Sequence, residues 1–133
     1  MGLSTALKNH LLFLSDSTKI AIDFTSTIKD RSIAEETAIV LYRVCQEAVN
    51  NTIYHAKAST VVVQLTSGNR HINLSIRDNG CGFDTKKQPG LSNKLNKLGI
   101  IGMRERIESL GGTFTIVSRR NKGTGLFISV PHK

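Results

Sequence analysis

The stretch INLSIRDNGCG, residues 72–82, decides how this chain folds. Ile72, Leu74 and Ile76 alternate with Asn73, Ser75 and Arg77, a period of two that puts the apolar side chains on one side of a strand. Asp78-Asn79-Gly80-Cys81-Gly82 follows directly, and aspartate, asparagine and glycine are turn formers, so the strand ends there. Upstream, the valine-rich run Thr60 to Thr66 joins this strand through Ser67-Gly68-Asn69, which predicts a hairpin with one buried face.

The flanking sequence supplies the cover for that face. Leu3, Leu7, Leu11 and Leu14 recur at helical spacing, predicting an amphipathic helix from Leu3 to about Ser15. Lys19 to Phe24 alternates as a short strand, with Ile20, Ile22 and Phe24 on one side. Ser32 followed three residues later by Glu35 is a capping-box pattern, and a helix is expected over about 33 to 56. Its apolar positions are Ile33, Val40, Val44, Ala48 and Thr52, with Leu41, Cys45, Val49 and Ile53 beside them. From Asp84 to about Leu98 the chain is polar, rich in lysine and turn residues, and reads as a mobile loop. A helix near Gly102 to Leu110 follows, stopped by Gly111-Gly112. Strands Thr113 to Ser118 and Leu126 to Val130 enclose the basic turn Arg119 to Gly123. Together these predict one domain, a two-layer α/β sandwich with a mixed, mostly antiparallel sheet covered on one face by about three helices.

Composition narrows the function classes. The chain has 133 residues, 39% hydrophobic and 21% charged, near globular averages and long enough for a real core. No apolar run approaches the roughly 20 residues of a membrane span, and no secretory signal pattern opens the chain, so a soluble domain is expected. Cys45 and Cys81 form neither a CxxC pair nor a disulfide framework, which fits a reducing cytoplasm. The net charge of +8 points to anionic partners. Aromatics at 5% and the lack of zinc-finger spacing or a dense basic arm argue against nucleic acid.

Four patterns could carry chemistry. Arg43, Glu47, Asn51 and His55 are spaced by four and share a helix ridge. Every surface helix has a polar side, yet paired Asn50 and Asn51 in mid-helix each forfeit roughly 0.5–0.7 kcal/mol relative to alanine, a cost that a function would offset. Asn51 offers an amide oxygen to a hard cation such as magnesium, and Glu47 a carboxylate that could orient or deprotonate a nucleophile in phosphoryl transfer. Asp78-Asn79-Gly80-Cys81-Gly82 fits an ordinary turn. It also fits a base site, in which Asp78 accepts from an amino group such as adenine N6 while Gly80 and Gly82 admit a flat ring. Gly99 and Gly102 flank the entry to a helix, where amides and the helix dipole attract phosphate, although two flexible loop glycines would look the same. Gly123-Thr124-Gly125 fits a hairpin turn, or a threonine steadying Asp78 or a bridging water. The fixed order of these four patterns is more specific than any one of them.

At these residues the chain resembles the ATP-binding domain shared by gyrase, a heat-shock chaperone, sensor histidine kinases and MutL, the GHKL superfamily with its Bergerat fold. Within it, LYRVCQEAVNNTIYHAKAS, IRDNGCGFD and LGIIGMRERIESLGGTFTI are similar to kinases that partner NarL/LuxR-type response regulators. The resemblance spans nearly the whole chain. It implies ATP and Mg2+ as ligands, Asn51 as magnesium ligand, Glu47 as catalytic base or orienter, and Asp78 as adenine acceptor. Gly80 and Gly82 would shape the adenine pocket, Gly99 and Gly102 would flank a phosphate lid with Met103 beside them, and Thr124 would support the base. Where the family has lysine before the histidine of its first box, this chain has Tyr54-His55, which passes phosphate neutralisation to Lys57, His55 or the lid lysines.

The resemblance further implies a catalytic part of a larger, cytoplasmically acting kinase. No histidine that could accept a phosphoryl group stands here before an acidic residue: His10 precedes Leu11 and His71 precedes Ile72. The acceptor histidine would lie on a separate helical dimerisation domain, the parent would be a homodimer, and this domain would touch neither nucleic acid nor membrane. The alternatives are an anti-sigma-factor-type serine kinase of the same fold, or a non-catalytic nucleotide- or nucleic-acid-binding module.

Overall fold

A computed structural model describes residues 2–28, 33–83, 93, 95 and 97–132. Helix α1 spans Leu3–Thr18, strand β1 Ala21–Ser26, helix α2 Glu35–His55, strand β2 Thr60–Gly68 and strand β3 His71–Asp78; helix α3 (Ile100–Ser109) and strands β4 (Thr113–Arg119) and β5 (Gly123–Pro131) complete the domain. The five strands lie in the order β1-β2-β3-β5-β4. β1 pairs with β2 in parallel, a pairing that needs a crossover, and α2 supplies it. The remaining pairs are antiparallel. The expected two-layer sandwich with a mixed, mostly antiparallel sheet is therefore present.

Register explains why one face is apolar. Val63 opposes Ile76, Leu65 opposes Leu74, and these continue through Leu74–Ile128 and Ile76–Leu126 into β5. Because successive strand residues point to opposite sides, this row is buried while Gln64, Ser75 and Phe127 stand on the other face. The buried row packs against Leu3, Leu7 and Leu11 of α1, Leu41, Val44, Cys45, Ala48 and Val49 of α2, and Ile100, Met103 and Ile107 of α3. Burial pushes the Cys45 thiol up to about 12, so it behaves as an inert core residue.

Several boundaries differ from the sequence reading. α1 runs on to Thr18, and Lys19, in the left-handed region at φ 65°, ends it, so the first strand starts at Ala21 rather than Lys19. Ser32 of the expected capping box lies outside the described residues; the N-cap is Ala34, without a side-chain cap, and Glu35 and Glu36 place negative charge on the first turn. Most of the expected loop over residues 84–98 also lies outside the described residues, but Leu95 and Leu98 pack partly buried against the core. Helix α3 begins at Ile100, not Gly102, because Gly99 at φ 72° serves as its N-cap. Its end is as expected: Gly111, at φ 78°, and Gly112 donate to the Glu108 and Ile107 carbonyls.

Candidate functional site

Between α2, the end of β3 and the start of β5 lies a cleft whose walls are mostly apolar, including Ala48, Ile76, Phe83, Ile116 and Leu126. Its polar groups are few and convergent: Asn51, Thr52, His55, Asp78, Cys81 and Thr124. Such a combination of apolar walls and a few placed polar atoms is the usual form of a small-molecule site.

Asp78 sits at the polar end, where β3 stops. Its Oδ1 accepts the Gly80 amide at 2.8 Å and the Thr124 amide at 3.3 Å. The Thr52 hydroxyl lies 3.2 Å from Asp78 Oδ2 and 3.3 Å from the Ala48 carbonyl, so one proton is shared between two acceptors. The carboxylate is thus held in a fixed direction and keeps acceptor capacity on Oδ2 for a donor in the cleft.

The loop after Asp78 is held on both sides. Asn79 acts as a clamp: its Oδ1 accepts the Ser59 and Thr60 amides at 2.9 and 3.0 Å, and its Nδ2 donates to Ser59 Oγ at 2.9 Å. The Cys81 amide donates to the Ala56 carbonyl at 2.7 Å, and the Cys81 carbonyl accepts the Asn121 amide at 2.6 Å. Gly80 presses so closely on the end of α2 that a Cβ there would overlap the Ala56 carbonyl oxygen. Gly82 adopts φ 58° and lies against the Arg119 carbonyl of the β4–β5 turn.

At the other end of the cleft, Asn51 Nδ2 donates to the Leu98 carbonyl at 2.6 Å. A carbonyl only accepts, so the amide orientation is fixed by chemistry, and Asn51 Oδ1 takes no hydrogen bond among the described residues. One turn earlier on α2, Glu47 Oε2 meets Arg106 Nη1 of α3 at 3.2 Å. Its Oε1 lies so close to Gly99 that a Cβ at that glycine would overlap it.

Some expected site residues stand elsewhere. Lys57 is exposed just past the end of α2, at φ 53°, and does not line the cleft. Met103 is completely buried in the core. Gly102 is inside α3 rather than at its entry, and among the described residues a Cβ there would meet nothing within 4 Å. Gly102→Ala is therefore expected to raise stability by about 0.5–1 kcal/mol, because alanine loses less backbone freedom in a helix. A lower denaturant midpoint in the variant would contradict this placement.

Thr124 also differs in its manner of contact. The residue lies in β5, which begins at Gly123, and its amide rather than its hydroxyl reaches Asp78. The hydroxyl pairs with buried Ser118 Oγ at 2.8 Å, and Ser118 Oγ in turn accepts the Phe83 amide at 2.9 Å. The sequence pattern does not single out Thr52, which lines the cleft beside Asp78, or Ser118, which supports Thr124 and Phe83. Thr52 occupies an apolar helix position, and a hydroxyl among buried valines and alanines is the one sequence signal that could have singled it out.

The chain matches the family described as "Histidine kinase-, DNA gyrase B-, and HSP90-like ATPase" over residues 36–133. It is 37% identical over 132 residues to the signal transduction histidine-protein kinase/phosphatase DegS of Brevibacillus brevis, covering 98% of this chain and 33% of that protein. It is 37% identical over 106 residues to the signal transduction histidine-protein kinase/phosphatase UhpB of Salmonella typhimurium, covering 80% of this chain and 20% of that protein. The chain thus spans a third or less of these relatives' length. Among solved structures, the histidine kinase domain of a blue-light activated kinase from Erythrobacter litoralis superposes with a TM-score of 0.75 at 21% identity, over 98% of this chain and 61% of that one. The Acinetobacter baumannii histidine kinase AdeS gives 0.75 at 17% identity, over 98% and 65%. These structures share the fold, and the family match covers most of the chain. By that match, this domain belongs to the family of histidine kinase-, DNA gyrase B- and HSP90-like ATPases.

Proposed function

We propose that this domain binds ATP with magnesium and, within a longer kinase, transfers the γ-phosphoryl group to a histidine on a separate helical domain. The observation that carries the nucleotide reading is the Asp78 carboxylate, fixed by two amides and the Thr52 hydroxyl at the end of an apolar cleft. An ionised carboxylate only accepts, so it selects a ring that presents an N–H there, as the adenine amino group does. The apolar walls cover the flat faces of that ring.

Asn51 fits the role of magnesium ligand, with Oδ1 left over once Nδ2 is committed to Leu98. In this reading the ion would be held by Asn51, phosphates and water. Magnesium keeps several waters and is commonly bound in that way, and it supplies charge neutralisation at the phosphates. Glu47, one turn away on the same ridge, orients or deprotonates the incoming histidine. Asn51→Ala is expected to abolish the gain in ATP affinity that magnesium confers. Calorimetric titrations with and without magnesium check it, and an undiminished gain would remove Asn51 as ligand.

The family membership and the names of the DegS and UhpB relatives support the kinase reading. The parent is then a homodimer that passes its phosphoryl group to a NarL/LuxR-type response regulator, and this domain works in the cytoplasm, where ATP is. No described helix is long and apolar enough to cross a membrane. Incubating the parent protein with labelled ATP tests the transfer: acid-labile label on a histidine is expected, whereas acid-stable label on a serine would favour the serine-kinase alternative.

A further inference from the structure

We propose that Arg106 is a phosphate-recognition residue of this site, its guanidinium reaching the terminal phosphates of the bound triphosphate from its place beside Glu47. The proposal rests on the reading of the cleft as a nucleoside triphosphate site. With the base held at Asp78 and Thr52, the phosphates extend along α2 past Asn51 toward Glu47, which lies roughly 6 Å further along the helix axis. They arrive at a corner that already holds a carboxylate. Magnesium at Asn51 would offset only part of the triphosphate charge, and without a further cation Glu47 and the terminal phosphates would repel one another.

Arg43 stands one turn from Glu47 on the α2 ridge and Lys97 is exposed two residues before Gly99, but among the described residues Arg106 alone is ion-paired to Glu47. Lys57 is exposed beyond the opposite, base-side end of α2. The position before His55 is Tyr54, uncharged and 75% exposed. Of the two arginines on α3, Arg104 is placed over the Phe114 ring at 5.5 Å. Arg106 is the one that meets Glu47, at 3.2 Å through Nη1.

The energetics favour sharing. Glu47 and Arg106 are 37% and 50% exposed, and an ion pair so open to water contributes only about 0–1 kcal/mol. Loosening it costs little. The guanidinium carries five N–H donors in a planar fork that matches phosphate oxygens, so it can hold Glu47 with one edge and a phosphate with the other. The same contact keeps the Glu47 carboxylate in place for the incoming nucleophile.

The test compares ATP, ADP and AMP, each with magnesium, by calorimetry on the parent domain, Arg106→Gln and Arg106→Lys. Arg106→Gln is expected to lose about tenfold in ATP affinity with AMP affinity unchanged, and Arg106→Lys to retain part of the preference. Equal losses for all three nucleotides would show a merely structural role. Unchanged or tighter ATP binding by Arg106→Gln would show that the pair only restrains Glu47; either result overturns the proposal. A parent that binds none of the three nucleotides overturns the nucleotide reading itself. A parent that grades ATP above AMP, beside an Arg106→Gln variant that keeps the gradation, overturns the Arg106 assignment alone.

Discussion

Asp78→Asn is expected to lower ATP affinity by roughly a hundredfold or more while leaving the domain folded. Asparagine can keep one acceptor oxygen for the Gly80 and Thr124 amides, which both bind Oδ1, so the end of β3 retains its anchorage. What changes is the atom at the Oδ2 position. There an NH2 group would face the Thr52 hydroxyl, which can turn its proton fully to the Ala48 carbonyl at 3.3 Å and accept instead. The same NH2 group would point a donor at the amino group of the base. A charge-assisted hydrogen bond worth about 1.5–3 kcal/mol is lost, and a desolvated donor left unpaired costs about 1–3 kcal/mol more. Calorimetry measures the affinity and thermal melting the fold. ATP affinity within a few-fold of the parent, in a variant of unchanged melting temperature, would remove Asp78 from the base site.

Gly82→Ala is expected to destabilise the domain by about 2–5 kcal/mol and to abolish nucleotide binding in whatever remains folded. Two costs combine. At φ 58° a Cβ crowds its own backbone by about 1–2 kcal/mol. The new methyl would also overlap the Arg119 carbonyl oxygen and lie 2.8 Å from that of Gly123. Both are main-chain atoms of the β4–β5 connection and cannot swing aside as a flexible side chain would. Overpacking of this kind typically costs about 1–3 kcal/mol. The loop can relieve it only by drawing Cys81 away from the Ala56 carbonyl and the Asn121 amide, which opens the cleft wall. Urea titration supplies the measurement, and a midpoint equal to that of the parent would show that the loop has room to move. Gly102→Ala, with no described residue near its Cβ, carries the opposite expected sign. The two glycines differ in surroundings, not in chemistry.

That contrast marks the boundary between what is local in this protein and what is not. The alternation of Ile72, Leu74 and Ile76 and the helical spacing of Val44, Ala48 and Thr52 depend on neighbours two to four residues away, so strands, helices and the buried face were legible directly. The ridge of Glu47 and Asn51 and the placing of Asp78 at a strand end were legible for the same reason. Boundaries were less so. α3 starts two residues before Gly102 because Gly99, backed by Glu47 across the domain, takes the left-handed N-cap position, and no local pattern announces that contact.

The partners of the site residues belong wholly to the tertiary structure. Thr52 reaches Asp78 across 26 residues of chain, the Thr124 amide reaches it across 46, and Arg106 meets Glu47 across 59. These pairs exist because α2 lies across β3, β5 lies beside β3 and α3 lies beside α2, adjacencies set by how the sheet orders its strands and buries its apolar face. The sequence by itself determined the elements, the face they bury and the residue types available for chemistry, since periodicity and turn formation act over a few residues. Only the tertiary structure decided that the support of Asp78 is a hydroxyl from an apolar helix position and an amide from β5, and that the cation beside Glu47 is Arg106. Those contacts are made between segments that only packing brings together.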